Sequence, residues 1–100
     1  MVQELEFTLD QQMAVFGIQD KNTKIIETAF DVSVTARNER IEIKGDLPMS
    51  VQNAADVLNN LRVLYDSGET INRDVVYRVL ESVQVGEMNE TLSAMSDIIV

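Results

Sequence analysis

The chain has 100 residues, of which 45% are hydrophobic and 25% charged, and these proportions are typical of one small globular domain. It contains neither cysteine nor histidine, which excludes disulfides, thiol nucleophiles, zinc sites built on these residues and Ser-His or Cys-His catalytic arrangements. The net charge of −9 argues against strong nonspecific binding to nucleic acid or to anionic membranes, because both need a basic surface.

The first predicted element is a strand near the N-terminus. Leu5, Phe7 and Leu9 alternate with polar residues, and a period of two predicts a strand with one polar face. The next segment, DQQMAVFG, ends at Gly17 and is compatible with a helical turn or with an irregular approach to that glycine. The pattern therefore leaves the structure of this second segment open.

A helix and a β-hairpin are predicted next. Asp20 is placed to cap a helix over about residues 21–30, because its carboxylate can accept from N–H groups two or three residues further on. Alternating apolar residues at 32–36 and 41–43 predict two strands, joined by a turn at Asn38, which tolerates left-handed geometry. The apolar side of the helix is expected to consist of Ile18, Ile25, Ile26, Ala29 and Phe30.

Two further helices are predicted after Gly45. Pro48 suits the first turn of a helix, and an apolar stripe of helical period continues to Tyr65, the strongest periodic signal in the chain. Gly68 is placed to end this helix in a left-handed conformation, and Asn72 is placed to cap the next one. The predicted order is therefore β-α-β-β-α-α, followed by a tail.

The tail carries apolar residues at helical spacing and ends on Ile-Ile-Val, which indicates a chain cut from a longer protein. Its methionines are compatible with packing against their own domain or with a stripe that binds a partner. We therefore predict one domain over residues 1–86, and over residues 87–100 the start of a connection towards a further domain. The residues at helical spacing are Met88, Leu92, Met95 and Ile99.

No motif for catalysis, phosphate binding or metal binding is found in the sequence. The glycines are isolated, so they form neither a Walker A loop nor a G-x-G-x-x-G pattern. The pairs Glu39/Glu42 and Asp66/Glu69 are interpreted as solvated charges rather than as an acid–base pair or a Mg²⁺ site. The chain is therefore expected to have no catalytic residue, no metal site and no cofactor of its own, and not to be an enzyme.

The basic residues are concentrated in one part of the chain. Five of the eight lie between residues 17 and 45, where five acids balance them, while the remainder has three basic residues and twelve acids. A polyanion would therefore meet this segment, if it meets the chain at all. Tyr65 and Tyr77 lie on or near apolar helix faces and are interpreted as residues at the edge of the core rather than as base-stacking platforms. The five basic residues are Lys21, Lys24, Arg37, Arg40 and Lys44.

Targeting signals are not evident in the sequence. No apolar run approaches the roughly 20 residues that a membrane span needs. The segment MVQELEFTLD has neither the basic start nor the long apolar stretch of a signal peptide. A cytoplasmic location without membrane contact is therefore expected.

An ordered set of short motifs runs from residue 16 to residue 69. It consists of F-G-x-x-D-x-N at 16–22, I-E at 26–27, a V-x-A-R hairpin, Gly45, a helix with A-x-x-V-L, and Y-x-x-G-E before the last helix. The set resembles the N-terminal domain of PhoH-like proteins, P-loop ATPases of the phosphate starvation-inducible type, over about residues 5–83. The resemblance implies a KH-like α+β fold, in which a three-stranded antiparallel sheet packs against helices. It also implies a following ATPase domain, absent from this chain, that binds ATP and Mg²⁺.

The KH likeness assigns a nucleic-acid clamp to the loop before the first predicted helix. A KH domain holds about four nucleotides of single strand with a GXXG loop, whose glycines let phosphates approach backbone N–H groups at a helix start. The matching positions are 17–20, where Asp20 replaces the second glycine and is expected to cap the helix and repel phosphate. The nucleic-acid contacts implied are Gly17, Lys21, Lys24, Arg37, Arg40 and Lys44.

Two functions remain open from the sequence. The first is an accessory domain that binds single-stranded RNA and presents it to the attached ATPase domain. The second is a structural or assembly module that packs against the ATPase domain or a sister subunit of a homo-oligomer and binds no nucleic acid. The resemblance favours the first, whereas the acid excess, the missing second glycine and the apolar tail favour the second. Recruitment of another protein is a third hypothesis, which the sequence does not address.

Overall fold

In the computed structural model, which describes residues 1–84, three strands and four helices follow one another in the order β-α-α-β-β-α-α. A short 3₁₀ turn, Ile18–Asp20, separates the first two helices. The predicted tail over residues 87–100 lies outside the described residues. The elements are β1 (Val2–Glu6), α1 (Leu9–Phe16), α2 (Lys21–Phe30), β2 (Ser33–Arg37), β3 (Arg40–Lys44), α3 (Pro48–Asp66) and α4, which begins at residue 73 and is helical to 84.

Helix α1 occupies the segment that the sequence left open, and it also shortens the predicted first strand. Thr8 and Gln11 form a capping box, in which the Gln11 N–H donates to Thr8 Oγ1 at 3.2 Å and the Thr8 N–H donates to Gln11 Oε1 at 2.9 Å. This reciprocal cap begins a helix at Leu9. The prediction of a strand that includes Leu9 was therefore wrong, because β1 ends at Glu6.

The three strands form one antiparallel sheet in the order β1-β3-β2, so the hairpin β2–β3 is extended on its far side by β1. Ile41 and Ile43 of the central strand are fully buried, whereas the alternating residues Arg40 and Lys44 are exposed. The helices therefore cover one face of the sheet, and the other face is open to solvent.

The core lies between the sheet and the helices, and α3 contributes the largest share of it. Burying an Ile, Leu or Val side chain completely contributes about 1.5–3 kcal/mol relative to leaving it exposed. Helix α3 is therefore the element against which α1, α2 and the sheet are positioned. Its buried residues are Val51, Ala54, Ala55, Val57, Leu58 and Leu61.

Several predicted helix ends and turns are confirmed. Pro48 begins α3, and Gly68 follows that helix with a φ of 95°. The Val75 N–H donates to Asn72 Oδ1 at 3.0 Å, which caps α4 as predicted. Asn38 has a φ of 53° in the β2–β3 turn. Local sequence signals therefore fixed the places where these elements begin and end.

Some predicted core positions differ from the structure. Ile18, in the 3₁₀ turn, is 80% exposed, and Ala29, near the end of α2, is exposed as well. Tyr65 is half-buried, as expected at the edge of the core, whereas Tyr77 is 51% exposed on α4.

Between residues 1 and 84, no helix combines the length and the apolar character that a membrane span requires.

Candidate nucleic-acid interface

The loop that matches GXXG lies between α1 and α2, at the N-terminal end of α2. Gly17 has φ 78° and ψ −176°, a region of backbone space that is essentially restricted to glycine. A Cβ atom at this position would lie 2.7 Å from Asn22 Nδ2. Backbone conformation and available space both require a glycine here, so the first glycine of the loop has a clear structural reason.

The last position of the loop holds Asp20 in a left-handed conformation with a φ of 57°, next to Gln19 with a φ of 55°. Asp20 makes no side-chain hydrogen bond to the first turn of α2. The prediction that it caps the helix was therefore wrong, because a capping residue normally has an extended backbone. The left-handed backbone is one that aspartate tolerates better than most residues, so Asp20 fits the position of a glycine while adding an exposed carboxylate.

Asn22 determines how the loop is held. It is 5% exposed, and its Nδ2 donates to the Val15 carbonyl oxygen at 3.1 Å. This bond ties the first turn of α2 to the last turn of α1 across the loop. Asn22 is the last residue of the F-G-x-x-D-x-N motif, and no role was predicted for it from the sequence. An asparagine five residues after the loop glycine, at a helix position where Asn is otherwise unfavourable, was the available signal.

Lys21 and Lys24 are exposed on the first two turns of α2, directly after the loop. They are three residues apart and are therefore neighbours on the helix surface. Neither forms an ion pair with any residue that the structure describes. The structure therefore brings three of the predicted contacts, Gly17, Lys21 and Lys24, to one surface.

The other three predicted contacts, Arg37, Arg40 and Lys44, lie elsewhere. Arg37 and Arg40 are directly paired across the hairpin, and their register places them with Lys44 on the open face of the sheet. Arg40 Nη1 lies 3.7 Å from Glu4 Oε2, and Lys44 Nζ lies 3.4 Å from Glu42 Oε1. The predicted set therefore divides between two surfaces of the molecule, and on the sheet face two of the three cations already have carboxylate partners.

An open cleft of about 1030 Å³ lies beside the hairpin turn and includes Arg62 of α3, which sequence reasoning missed. The Arg62 guanidinium lies 5.2 Å from the centre of the Phe7 ring and donates to the Glu6 carbonyl oxygen at 2.6 Å. Three arginines of the cleft face four glutamates, so its charge gives no net attraction for phosphate. The charged residues of the cleft are Arg37, Arg40, Arg62, Glu4, Glu6, Glu39 and Glu42.

Helix α2 is also tied to the free edge of the sheet. Glu27 Oε2 accepts a hydrogen bond from the Val34 N–H of the edge strand β2 at 2.9 Å. The surface that begins at the GXXG-like loop therefore continues along α2 and is bordered by β2. Groups of three or more potential metal ligands do not occur within residues 1–84.

The fold is similar to that of solved Dim2p structures. Dim2p from Pyrococcus horikoshii OT3 matches with a TM-score of 0.63 and 15% identity, over 80% of this chain and 48% of that chain. A chain from the a/eIF2alpha-aDim2p-rRNA complex of the same organism matches with a TM-score of 0.59 and 16% identity, over 80% of this chain and 45% of that chain. The present chain thus spans about half the length of the chains it matches.

No protein-family model matches the sequence, and no curated protein does either. At these identities the likeness to Dim2p shows the fold alone. The predicted α+β, KH-like fold with a three-stranded antiparallel sheet is confirmed.

Proposed function

We propose that this chain is an RNA-binding KH-like domain, in which single-stranded RNA lies along the α1–α2 loop and α2. The observation that carries this proposal is the loop before α2, where Gly17 has a backbone conformation essentially restricted to glycine. The first two turns of α2 then expose Lys21 and Lys24, which have no ion-pair partners within residues 1–84. Gly17 would allow a phosphate to approach the backbone, and the two lysines would hold the next phosphates. That one structural neighbour was solved together with rRNA supports RNA as the ligand class.

The proposed RNA binding is weak and decreases as the salt concentration rises. Two lysines that neutralise two phosphates give a slope of log K against log salt of about −1.4 for a single strand. The net charge of −9 and the Asp20 carboxylate oppose the approach of RNA. Binding is therefore expected at low ionic strength and is expected to be lost as salt is added.

Fluorescence-anisotropy titration of labelled single-stranded RNA at low salt tests this proposal. The double variant Lys21→Gln with Lys24→Gln is expected to reduce affinity at least about tenfold, since each lost phosphate contact removes on the order of 1 kcal/mol. The matched control is Arg37→Gln with Arg40→Gln, which removes the same charge from the open sheet face. Absence of saturable binding by the unmodified chain, or an equal loss in both double variants, would contradict the proposed surface.

We also propose that the domain is joined to a P-loop ATPase domain, as in the PhoH-like proteins that its motifs resemble. In that arrangement ATP and Mg²⁺ belong to the other domain, and RNA bound here is presented to it. The ordered motifs over residues 16–69 support this proposal. A Walker A motif encoded in the same reading frame downstream of this domain would agree with it, whereas its absence from the complete gene would contradict it. The cytoplasmic location stays a prediction.

The alternative function, an assembly module, is favoured by one specific observation. Leu9 and Met13, one helical turn apart on α1, are 57% and 76% exposed. Apolar side chains in such a row would suit contact with a neighbouring domain or subunit. Sedimentation of the chain and of its Met13→Glu variant tests this function: a concentration-dependent oligomer that the substitution dissolves is expected. A monomer at all concentrations would contradict self-assembly through α1.

A further inference from the structure

The outer edge of β2 has a defined pattern of hydrogen-bonding groups. Arg37 and Arg40 flank a two-residue turn, and hydrogen-bonded and non-hydrogen-bonded pairs alternate from there along the hairpin. Thr35 and Ser33 therefore bond to β3, while Val34 and Ala36 direct their N–H and C=O groups towards the free edge. The bond from the Val34 N–H to Glu27 agrees with this alternation.

Glu27 is a fixed acceptor beside this edge. It is half-buried, and its Oε2 is held by the Val34 N–H at 2.9 Å. Its second oxygen, Oε1, makes no hydrogen bond with any residue between 1 and 84. The carboxylate thus presents one oriented, unused acceptor at the junction of α2 and β2.

The position of Glu27 follows directly from that of the lysines. It lies three residues after Lys24, which lies three residues after Lys21, so consecutive members are neighbours on the helix surface. Beyond Lys24, Glu27 is the first polar or charged side chain on α2, and its carboxylate lies at the β2 edge. An RNA strand whose phosphates are held by Lys21 and Lys24 and which continues along α2 would bring a base to this carboxylate.

We propose that Glu27 is a specificity-determining residue, which selects a base carrying an exocyclic amino group and so favours cytosine over uracil. This inference rests on the proposed RNA-binding function. The amino group at position 4 of cytosine donates to a carboxylate, as glutamate does in reading cytosine N4. Uracil carries a carbonyl at the same position, and its oxygen is repelled by the carboxylate. The two pyrimidines have nearly the same shape, so the discrimination is electrostatic.

Anisotropy titration of the chain with labelled oligo(rC) and oligo(rU) of equal length measures this selection. A hydrogen bond to a charged acceptor, set against a repulsion, gives a preference for oligo(rC) of about tenfold. Oligo(rC) methylated twice at each N4 keeps the ring but has no amino hydrogen, and it is expected to bind as weakly as oligo(rU). This last probe needs no substitution in the protein, so it tests the inference whatever the stability of a variant.

The variant Glu27→Gln gives the sharpest outcome. The Val34 N–H would donate to the carbonyl oxygen of the new amide in place of Oε2 of the carboxylate. The NH₂ group of that amide would then face the base. That donor suits the uracil carbonyl, so the preference for oligo(rC) is expected to disappear or to reverse. The variant Glu69→Gln removes the same charge in the loop after α3, and is expected to keep the preference of the unmodified chain.

Different results overturn the inference and the proposed function. Equal affinity of the unmodified chain for oligo(rC), oligo(rU) and the methylated oligomer overturns the role of Glu27 while RNA binding stands. An undiminished oligo(rC) preference in Glu27→Gln does the same. Failure of the unmodified chain to bind any of the three oligomers overturns the proposed function itself, and the inference falls with it.

Discussion

The α1–α2 loop and the open face of the sheet carry cations from the same stretch of sequence, but they place them in different electrostatic surroundings. At the loop, Lys21 and Lys24 have no ion-pair partners within residues 1–84. On the sheet, Arg40 and Lys44 each lie within 4 Å of a carboxylate, at 3.7 and 3.4 Å. The difference shows that local charge balance in the sequence does not identify a binding surface. The electrostatic potential of a surface depends on which charges share that face of the folded chain.

The two regions also differ in how much their backbone depends on single residues. The hairpin turn needs only Asn38, a residue that adopts its left-handed φ of 53° readily. The loop needs Gly17 for both conformation and space, and Asn22 to tie the two helices together. We therefore expect substitutions at the loop to change stability and binding together, whereas those on the sheet face change little of either.

The largest expected effect is that of Gly17→Ala. The substitution places alanine in a region of φ/ψ space that is essentially restricted to glycine, and its Cβ atom would lie 2.7 Å from Asn22 Nδ2. The free energy of unfolding should therefore fall by about 2–4 kcal/mol. Gly68→Ala is the matched control, because Gly68 also has a positive φ but nothing lies within 4 Å of its added Cβ. Urea denaturation measures both. Equal losses would show that the contact with Asn22 carries no cost.

Asn22→Ala should have the next largest effect. It leaves the buried Val15 carbonyl oxygen without its donor, which costs about 1–3 kcal/mol. Asn60→Ala, on the exposed side of α3, is the control and is expected to change stability by less than about 0.5 kcal/mol. A loss at Asn22 no larger than the loss at Asn60 would mean that the two helices are held together by packing alone.

A smaller effect is expected when the second glycine of the loop is restored. Asp20→Gly removes a carboxylate beside the proposed phosphate position, and RNA affinity at low salt should rise about fivefold, equivalent to about 1 kcal/mol. Asp31→Gly is an unusually close control, since Asp31 is also acidic and left-handed, with a φ of 55°, but lies at the other end of α2. Anisotropy titration compares them. The same gain in both variants would indicate net charge rather than a local effect of Asp20.

The features predicted from the sequence are those that local chemistry determines. Pro48, Gly68, Asn72 and Asn38 each mark a helix end or turn through their own backbone preferences, and all four were placed correctly. The start of α2 was also correct, although for the wrong reason: Asp20 contributes its left-handed backbone rather than a side-chain cap. Backbone preference and capping are both local, so they are readable from neighbouring residues.

The features that were missed depend on contacts distant in sequence. Helix α1 is short, and the burial of its Gln12 is offset by hydrogen bonds from Nε2 to the carbonyl oxygens of Phe7 and Asn38, the second of which lies 26 positions away. The separation of Lys21 and Lys24 from Arg37 and Arg40 follows from strand register and helix packing. The bond between Glu27 and Val34 joins a helix to a strand edge. None of these relations leaves a periodic signal in a single sequence.

The smallest expected effect is on the sheet face and tests the other half of the comparison. Arg40→Ala removes the partner of Glu4, but the pair is 3.7 Å long and both side chains are more than half exposed, so the free energy of unfolding should fall by less than about 0.5 kcal/mol. Added salt screens an exposed ion pair, so this loss in the free energy of unfolding should be smaller when the urea denaturation is repeated at high salt. RNA affinity is expected to change far less than in Lys21→Ala, which removes one cation from the loop surface. A larger loss of binding from Arg40→Ala would place the RNA on the sheet instead of along α2, and would reverse the assignment of the two surfaces.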